Sequence, residues 1–197
     1  MKARVVLVAS LWLLLSASVA RPGTVPIGIQ GGASVPTGDL AKSVGDGYHF
    51  GLFIAYLPDS LNGFELDANY HVLTEKTSTI DAFFVPLTFK QNATILEGLL
   101  CFRIALVPKG VRAVPYLKGG FGVELTQTQV TFESTESFTS SESRAWLGAV
   151  AGAGLSLPLG AVSGVRVEGL FHLIQTDTEA TEMYTIALGF WTKAGKR

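Results

Sequence analysis

His49, His71 and His172 are the most chemically versatile residues in this 197-residue sequence. Imidazoles hold transition metals when they converge and when neighbouring groups orient the second ring nitrogen. The three stand on separate segments with no ligand-type spacing, so they are expected to make hydrogen bonds in an interior or at a rim. No metal and no cofactor is expected. Acyl chemistry on a strand face needs a histidine, a serine and a carboxylate together, and His172 lies in Phe171-His172-Leu173-Ile174 with no serine beside it. No catalytic residue is assigned and no enzyme is expected. Gly119, Gly120 and Gly122 do not form a phosphate loop, because the apolar alternation continues through Phe121, Val123 and Leu125. These glycines, like Gly148, Gly152 and Gly154, fit close packing or strong strand curvature. Cys101 is the single cysteine, so the fold carries no internal disulfide.

The elements that must position these residues are strands. Phe64, Leu66, Ala68, Tyr70 and Val72 alternate with Glu65, Asp67, Asn69 and His71. Val165, Val167, Gly169, Phe171 and Leu173 alternate with Arg166, Glu168, Leu170 and His172. The segments from Tyr48 to Tyr56 and from Tyr184 to Phe190 show the same period of two, which makes one face apolar. Eight strands are expected, at 26–36, 47–57, 62–73, 93–106, 111–128, 142–157, 162–175 and 182–192. Three connections are tight: Pro58-Asp59-Ser60-Leu61, Val107-Pro108-Lys109-Gly110 and Pro158-Leu159-Gly160-Ala161. They carry the residue types of turns. The other four, around 37–46, 74–92, 129–141 and 176–181, are mostly longer and polar. Ala82 to Leu87 also fit a strand, which would change the count or the register at mid-barrel. Short and long connections in alternation are the pattern of a closed antiparallel up-and-down barrel with two unlike rims.

The N-terminus predicts export. Lys2 and Arg4 precede an apolar run from Val5 to Leu15, and small residues then lead to Ala20. This is the pattern of a signal peptide over 1–20, cleaved after Ala20, with the barrel domain over 21–197. A formal net charge of -1 gives no reason to expect a nucleic-acid partner.

Water and lipid demand opposite senses of the same alternation. Charged residues are only 16% of the chain, and the face opposite the apolar one is Gly, Ala, Ser and Thr with sparse charges. That suits a narrow filled lumen inside a transmembrane barrel. Outward aromatics are then expected at both rims: Tyr56, Phe64, Phe102 and Phe190 at the short-turn rim, and Tyr48, Tyr70, Phe171 and Tyr184 at the other. Charges in a narrow interior must pair. Arg103 is expected to pair with Glu65 or Asp67, while Arg166 and Lys118 face Glu168, Glu97 or Glu124. The alternative is a soluble exported barrel, lipocalin-like, with an apolar ligand at its centre. The polar run from Glu133 to Glu142 is expected to be a solvated loop or a contact surface for a partner that no motif specifies.

Gly31-Gly32-Ala33-Ser34-Val35-Pro36-Thr37-Gly38-Asp39-Leu40, Pro115-Tyr116-Leu117-Lys118-Gly119-Gly120-Phe121-Gly122 and Ile186-Ala187-Leu188-Gly189-Phe190-Trp191 resemble the opening, central and closing strands of one family. It is the bacterial outer-membrane β-barrel domain family of small OmpA- and OmpX-like barrels. The resemblance implies a scaffold or surface protein in the outer membrane, with outer-membrane lipid and the insertion machinery as partners. It supplies no catalytic residues. Such barrels commonly finish on an aromatic residue, whereas this chain continues from Thr192 to Arg197 beyond Trp191.

Overall fold

The computed structural model describes residues 23–59, 61–82, 85–107, 112–133, 138–176 and 180–194. The signal peptide expected over 1–20 lies outside them. Period-two alternation builds eight antiparallel strands: β1 (Val25–Thr37), β2 (Gly47–Tyr56), β3 (Gly63–Ala82), β4 (Val85–Ala105), β5 (Val114–Glu133), β6 (Phe138–Pro158), β7 (Ser163–Gln175) and β8 (Ala180–Ala194). Each pairs with its neighbours in chain order, and β8 returns to β1 from Val25↔Ala194 to Thr37↔Glu182. The sheet is therefore a closed up-and-down barrel without open edges through its body. One short helix, α1 (Leu40–Ser43), follows β1.

The apolar side chains point away from the barrel axis. Ile29, Leu52, Phe121, Leu147, Ile186 and Leu188 are each between 60% and 70% exposed. Glu65, His71, Glu124, Arg166, Glu168 and His172 are each 1% exposed or less. This is the sense that lipid demands. The lipocalin-like alternative, which needs an apolar cavity at the centre, is overturned by that orientation.

Four strands are longer than their hydropathy indicates. The segments 74–92 and 129–141, expected as loops, instead continue the β3–β4 and β5–β6 hairpins up to Ala82↔Val85 and Phe132↔Phe138. Ala82 and the residues from Val85 onward are thus strand, and the count stays at eight. Ser and Thr without apolar alternation look like loop, yet β-branched Thr favours extended backbone. Cross-strand hydroxyl contacts follow, between Thr79 and Thr88 (3.4 Å) and between Thr131 and Thr139 (3.3 Å). A bulge between Leu73 and Lys76 marks where β3 leaves the barrel body. Above it, β3 to β6 form a four-stranded flange that stands clear of β2 and β7, which pair only up to Leu73 and Leu147.

The outer face changes chemistry at one level. Tyr70, Leu96 and Leu125 lie in register on β3, β4 and β5, and two residues higher Thr94, Gln127 and Ser143 lie in register on β4, β5 and β6. Below that line the outer face of β4 is Leu96, Leu100, Phe102 and Ile104; above it come Thr94, Asn92 and Lys90. From Leu96 down to Leu106 the chain covers about 34 Å at ~3.4 Å per residue, which a strand tilt of about 40° shortens to roughly 26 Å. That is the height of a hydrocarbon band.

The short-turn rim is tightly built. Asp59 accepts the backbone N–H of Leu61 (2.8 Å) and of Asn62 (2.6 Å), and Asn62 accepts the N–H of Ala105 across the rim (2.7 Å). Glycine fixes strand approach higher in the wall. A Cβ on Gly122 would meet the Gly98 carbonyl oxygen at 1.9 Å, whereas a Cβ on Gly98 would meet nothing within 4 Å. Gly122→Ala should therefore destabilise the barrel by about 1–3 kcal/mol through overpacking, with Gly98→Ala near neutral. Urea unfolding of both variants in the same detergent measures the difference.

Candidate functional site in the barrel lumen

The lumen holds two polar layers capped by an apolar one. Nearest the short turns, Lys118 on β5 reaches Asp67 at 2.5 Å, Glu65 at 2.6 Å and Glu168 at 3.5 Å. Arg166 on β7 reaches Glu65 at 2.8 Å, Glu168 at 3.4 Å and Asp67 at 3.9 Å. Its guanidinium also lies over the Phe53 ring, 3.3 Å from the centroid. Tyr116 donates its hydroxyl to Glu168 at 2.6 Å. Arg103 does not pair with Glu65 or Asp67 as expected: it lies over the Tyr116 ring at 3.8 Å and makes no ion pair among the described residues. The register explains the exchange. Arg103 sits directly opposite Lys118, and the lysine's flexible stem reaches the carboxylates. Three acids (Glu65, Asp67, Glu168) thus share a layer with three basic residues (Lys118, Arg166, Arg103), equal in number.

The second layer lies nearer the long-strand rim. Glu97 on β4 accepts from Asn69 (2.8 Å), contacts His172 Nδ1 (2.7 Å) and stands 3.7 Å from His71 Nε2. Ser34 bridges His49 Nδ1 (3.1 Å) and His71 Nδ1 (3.0 Å), and Thr185 meets His172 Nε2 (3.0 Å). The three histidines therefore converge, with ring centroids 5.2 Å apart for His49–His71 and 5.7 Å for His71–His172. Of the three partners expected for Arg166 and Lys118, both meet Glu168, while Glu97 and Glu124 meet neither. They lie directly opposite one another on β4 and β5, and neither Glu124 oxygen has a hydrogen-bond partner. Ser34, His71 and Glu97 have the residue types of an acyl-transfer triad. However, the serine is fully buried and faces the lumen, away from any lipid.

One relay joins the layers. Arg166 donates to Gln30 Oε1 (2.5 Å), Gln30 to Asn69 Oδ1 (2.7 Å), and Asn69 to Glu97. Above the histidines, Val44, Leu73, Ala93, Ile95, Ile174 and Met183 form a buried apolar layer, against which Leu40 of α1 and Trp146 pack. Side chains thus fill the bore at these three levels, and a smaller buried cluster of Leu99, Cys101, Val150 and Leu170 adds to them.

The expected girdle residues point outward. Phe64 stacks on Phe102 (5.3 Å) near the short turns, and Phe171 on Tyr184 (5.0 Å) near the other rim. Tyr48, Phe190 and the half-exposed Tyr56 and Tyr70 lie on the same outer face. Phe50 and Phe121, on the apolar face but not among the residues expected at a rim, are also outward at 56% and 67% exposure, so aromatics are not confined to the rims.

No family model and no curated protein matches the chain. Among solved structures it is similar to a major outer membrane protein from Thermus thermophilus, at 11% identity and a TM-score of 0.51, over 86% of this chain and 99% of that one. It is also similar to the outer membrane protein OprG from Pseudomonas aeruginosa, at 17% identity and a TM-score of 0.49, over 91% of this chain and 99% of that one. At such identity the likeness to the Thermus protein is one of fold: the small outer-membrane β-barrel.

Proposed function

We propose that a chain with the fold of the small outer-membrane barrels works here as a non-enzymatic scaffold, which spans the outer membrane and presents its flange and connections to the outside. The observation that supports this most is the level crossing from apolar to polar outer surface above a filled bore. The band matches hydrocarbon in height, so outer-membrane lipid is its solvent. The polar outer face of the flange, with Asn92, Gln127 and Gln129, faces water or a surface partner. Phe190 and Trp191 close the last membrane strand and serve the insertion machinery, even though β8 runs on to Ala194.

A bore filled at three levels offers ions no continuous water path. In planar bilayers the folded protein is expected to give no steady open-channel current, and cell fractionation should return it with the outer membrane. Sustained ohmic conductance, or recovery in the aqueous periplasmic extract, would count against the proposal.

A further inference from the structure

We propose that the upper lumen layer is a binding site for one first-row divalent transition ion, held by Glu97, Glu124 and His172. The inference goes beyond the scaffold role and does not depend on what the flange contacts. Each of the three offers a ligand atom, and these atoms lie within 4.8 Å of one another. Two carboxylate oxygens and one imidazole nitrogen are a donor set for zinc, cobalt or manganese rather than for calcium or magnesium, which take oxygen alone.

Three further observations point to a ligand. The first is charge. Glu97 and Glu124 oppose one another in register, where like charges repel, and the cations of the lumen are used in the other layer. A divalent ion would offset the two facing carboxylates. The second is the pair of unpartnered groups. Glu124 is 0% exposed, yet neither of its carboxylate oxygens is hydrogen-bonded. His71 is 1% exposed, and its Nε2 has no hydrogen bond while standing 3.7 Å from Glu97 Oε1. Leaving buried charges and donors without partners is costly, and a cation between Glu97, Glu124 and His172 removes the larger part of that cost. The third is orientation. His172 Nε2 is hydrogen-bonded to Thr185, Asn69 donates to Glu97, and Ser34 is hydrogen-bonded to His71 Nδ1. Ligands oriented from behind in this way are characteristic of metal sites. Gly148 completes the fit, because a Cβ there would fall 2.0 Å from Glu124 Oε1.

The apolar layer above seals the site, so the ion enters during folding and is then retained. The test folds the chain from urea into detergent with Zn²⁺, or with Co²⁺ as a spectroscopic probe. Free metal is then removed with a chelator and by gel filtration, and metal per chain is measured. About one ion per folded chain is expected, with visible ligand-field absorption for Co²⁺. Glu124→Gln and His172→Gln should each reduce retention at least tenfold, while Glu75→Gln on the flange should leave it unchanged. Heat-modifiable migration on a gel reports whether each variant has folded. If Glu124→Gln fails to fold, His172→Gln and the Co²⁺ spectrum of the unaltered chain still decide. Absence of retained Zn²⁺ and Co²⁺ from the folded chain overturns the proposal, as does full retention by a folded Glu124→Gln variant. In either case the Glu97–His172 contact is a proton-bridged pair only.

Discussion

Lys118→Met is expected to destabilise the folded barrel by about 3–5 kcal/mol, the cost of breaking a buried ion cluster from one side. The lysine is the closest cation to Asp67 and, at 2.6 Å, to Glu65. Without it, Glu65, Asp67 and Glu168 share only Arg166, because Arg103 is engaged with the Tyr116 ring. Methionine keeps most of the stem volume, so the loss is electrostatic rather than a cavity. Urea unfolding in lipid vesicles, followed by tryptophan fluorescence, should show a lower midpoint at unchanged slope. Adding Glu65→Gln to Lys118→Met removes one of the stranded charges and should recover part of the loss. A Lys118→Met variant as stable as the parent would mean that the carboxylates are compensated by water, and that the bore is wetter than its packing implies.

The second large effect is on the outer wall. Leu188→Arg places a guanidinium near the middle of the apolar band, where Leu188 is 63% exposed on the outer face and flanked by Gly31 and Val167. Such a charge at the bilayer midplane costs about 2–4 kcal/mol. Gln129→Arg on the outer face of the flange, opposite Asn92 and Ser141, should cost no more than about 0.5 kcal/mol, as for an ordinary solvated surface site. Comparing the two in vesicles locates the bilayer on the barrel. Equal costs at both positions would remove the membrane boundary from the level of Thr94 and Gln127.

Much of this organisation was legible in the chain. Alternation from Phe64 to Val72 and from Val165 to Leu173 fixes which side chains share a face, since a one-residue slip would reverse every one of them. The sparse charges assigned to the lumen are all buried there. What alternation does not contain is height. Placing Arg103 opposite Lys118, and Glu97 opposite Glu124, needs the hairpin register, which depends on the length of the 106–113 connection. The convergence of the histidines had a signal that could have found it. The tight turn after Tyr56 pairs Tyr56 with Phe64, and counting outward from it puts His49 opposite His71. His172 could not be added that way, because β7 lies across the bore and only barrel closure brings it near. The flange was hidden for another reason: outside the hydrocarbon neither face of a strand has to be apolar, so Thr77, Thr79, Gln127 and Gln129 carry no periodic mark.

The ion contacts that span the bore also constrain assembly. Arg166 on β7 bonds Glu65 on β3 and Gln30 on β1, partners separated by 101 and 136 residues. None of these links exists until the first and last strands meet. A partly curled sheet pushed into hydrocarbon would carry unpaired ions on its concave side, and each would have to drag water with it. Hairpin-by-hairpin entry is therefore penalised at every stage before the last, so wall and bore must be completed in a single cooperative event.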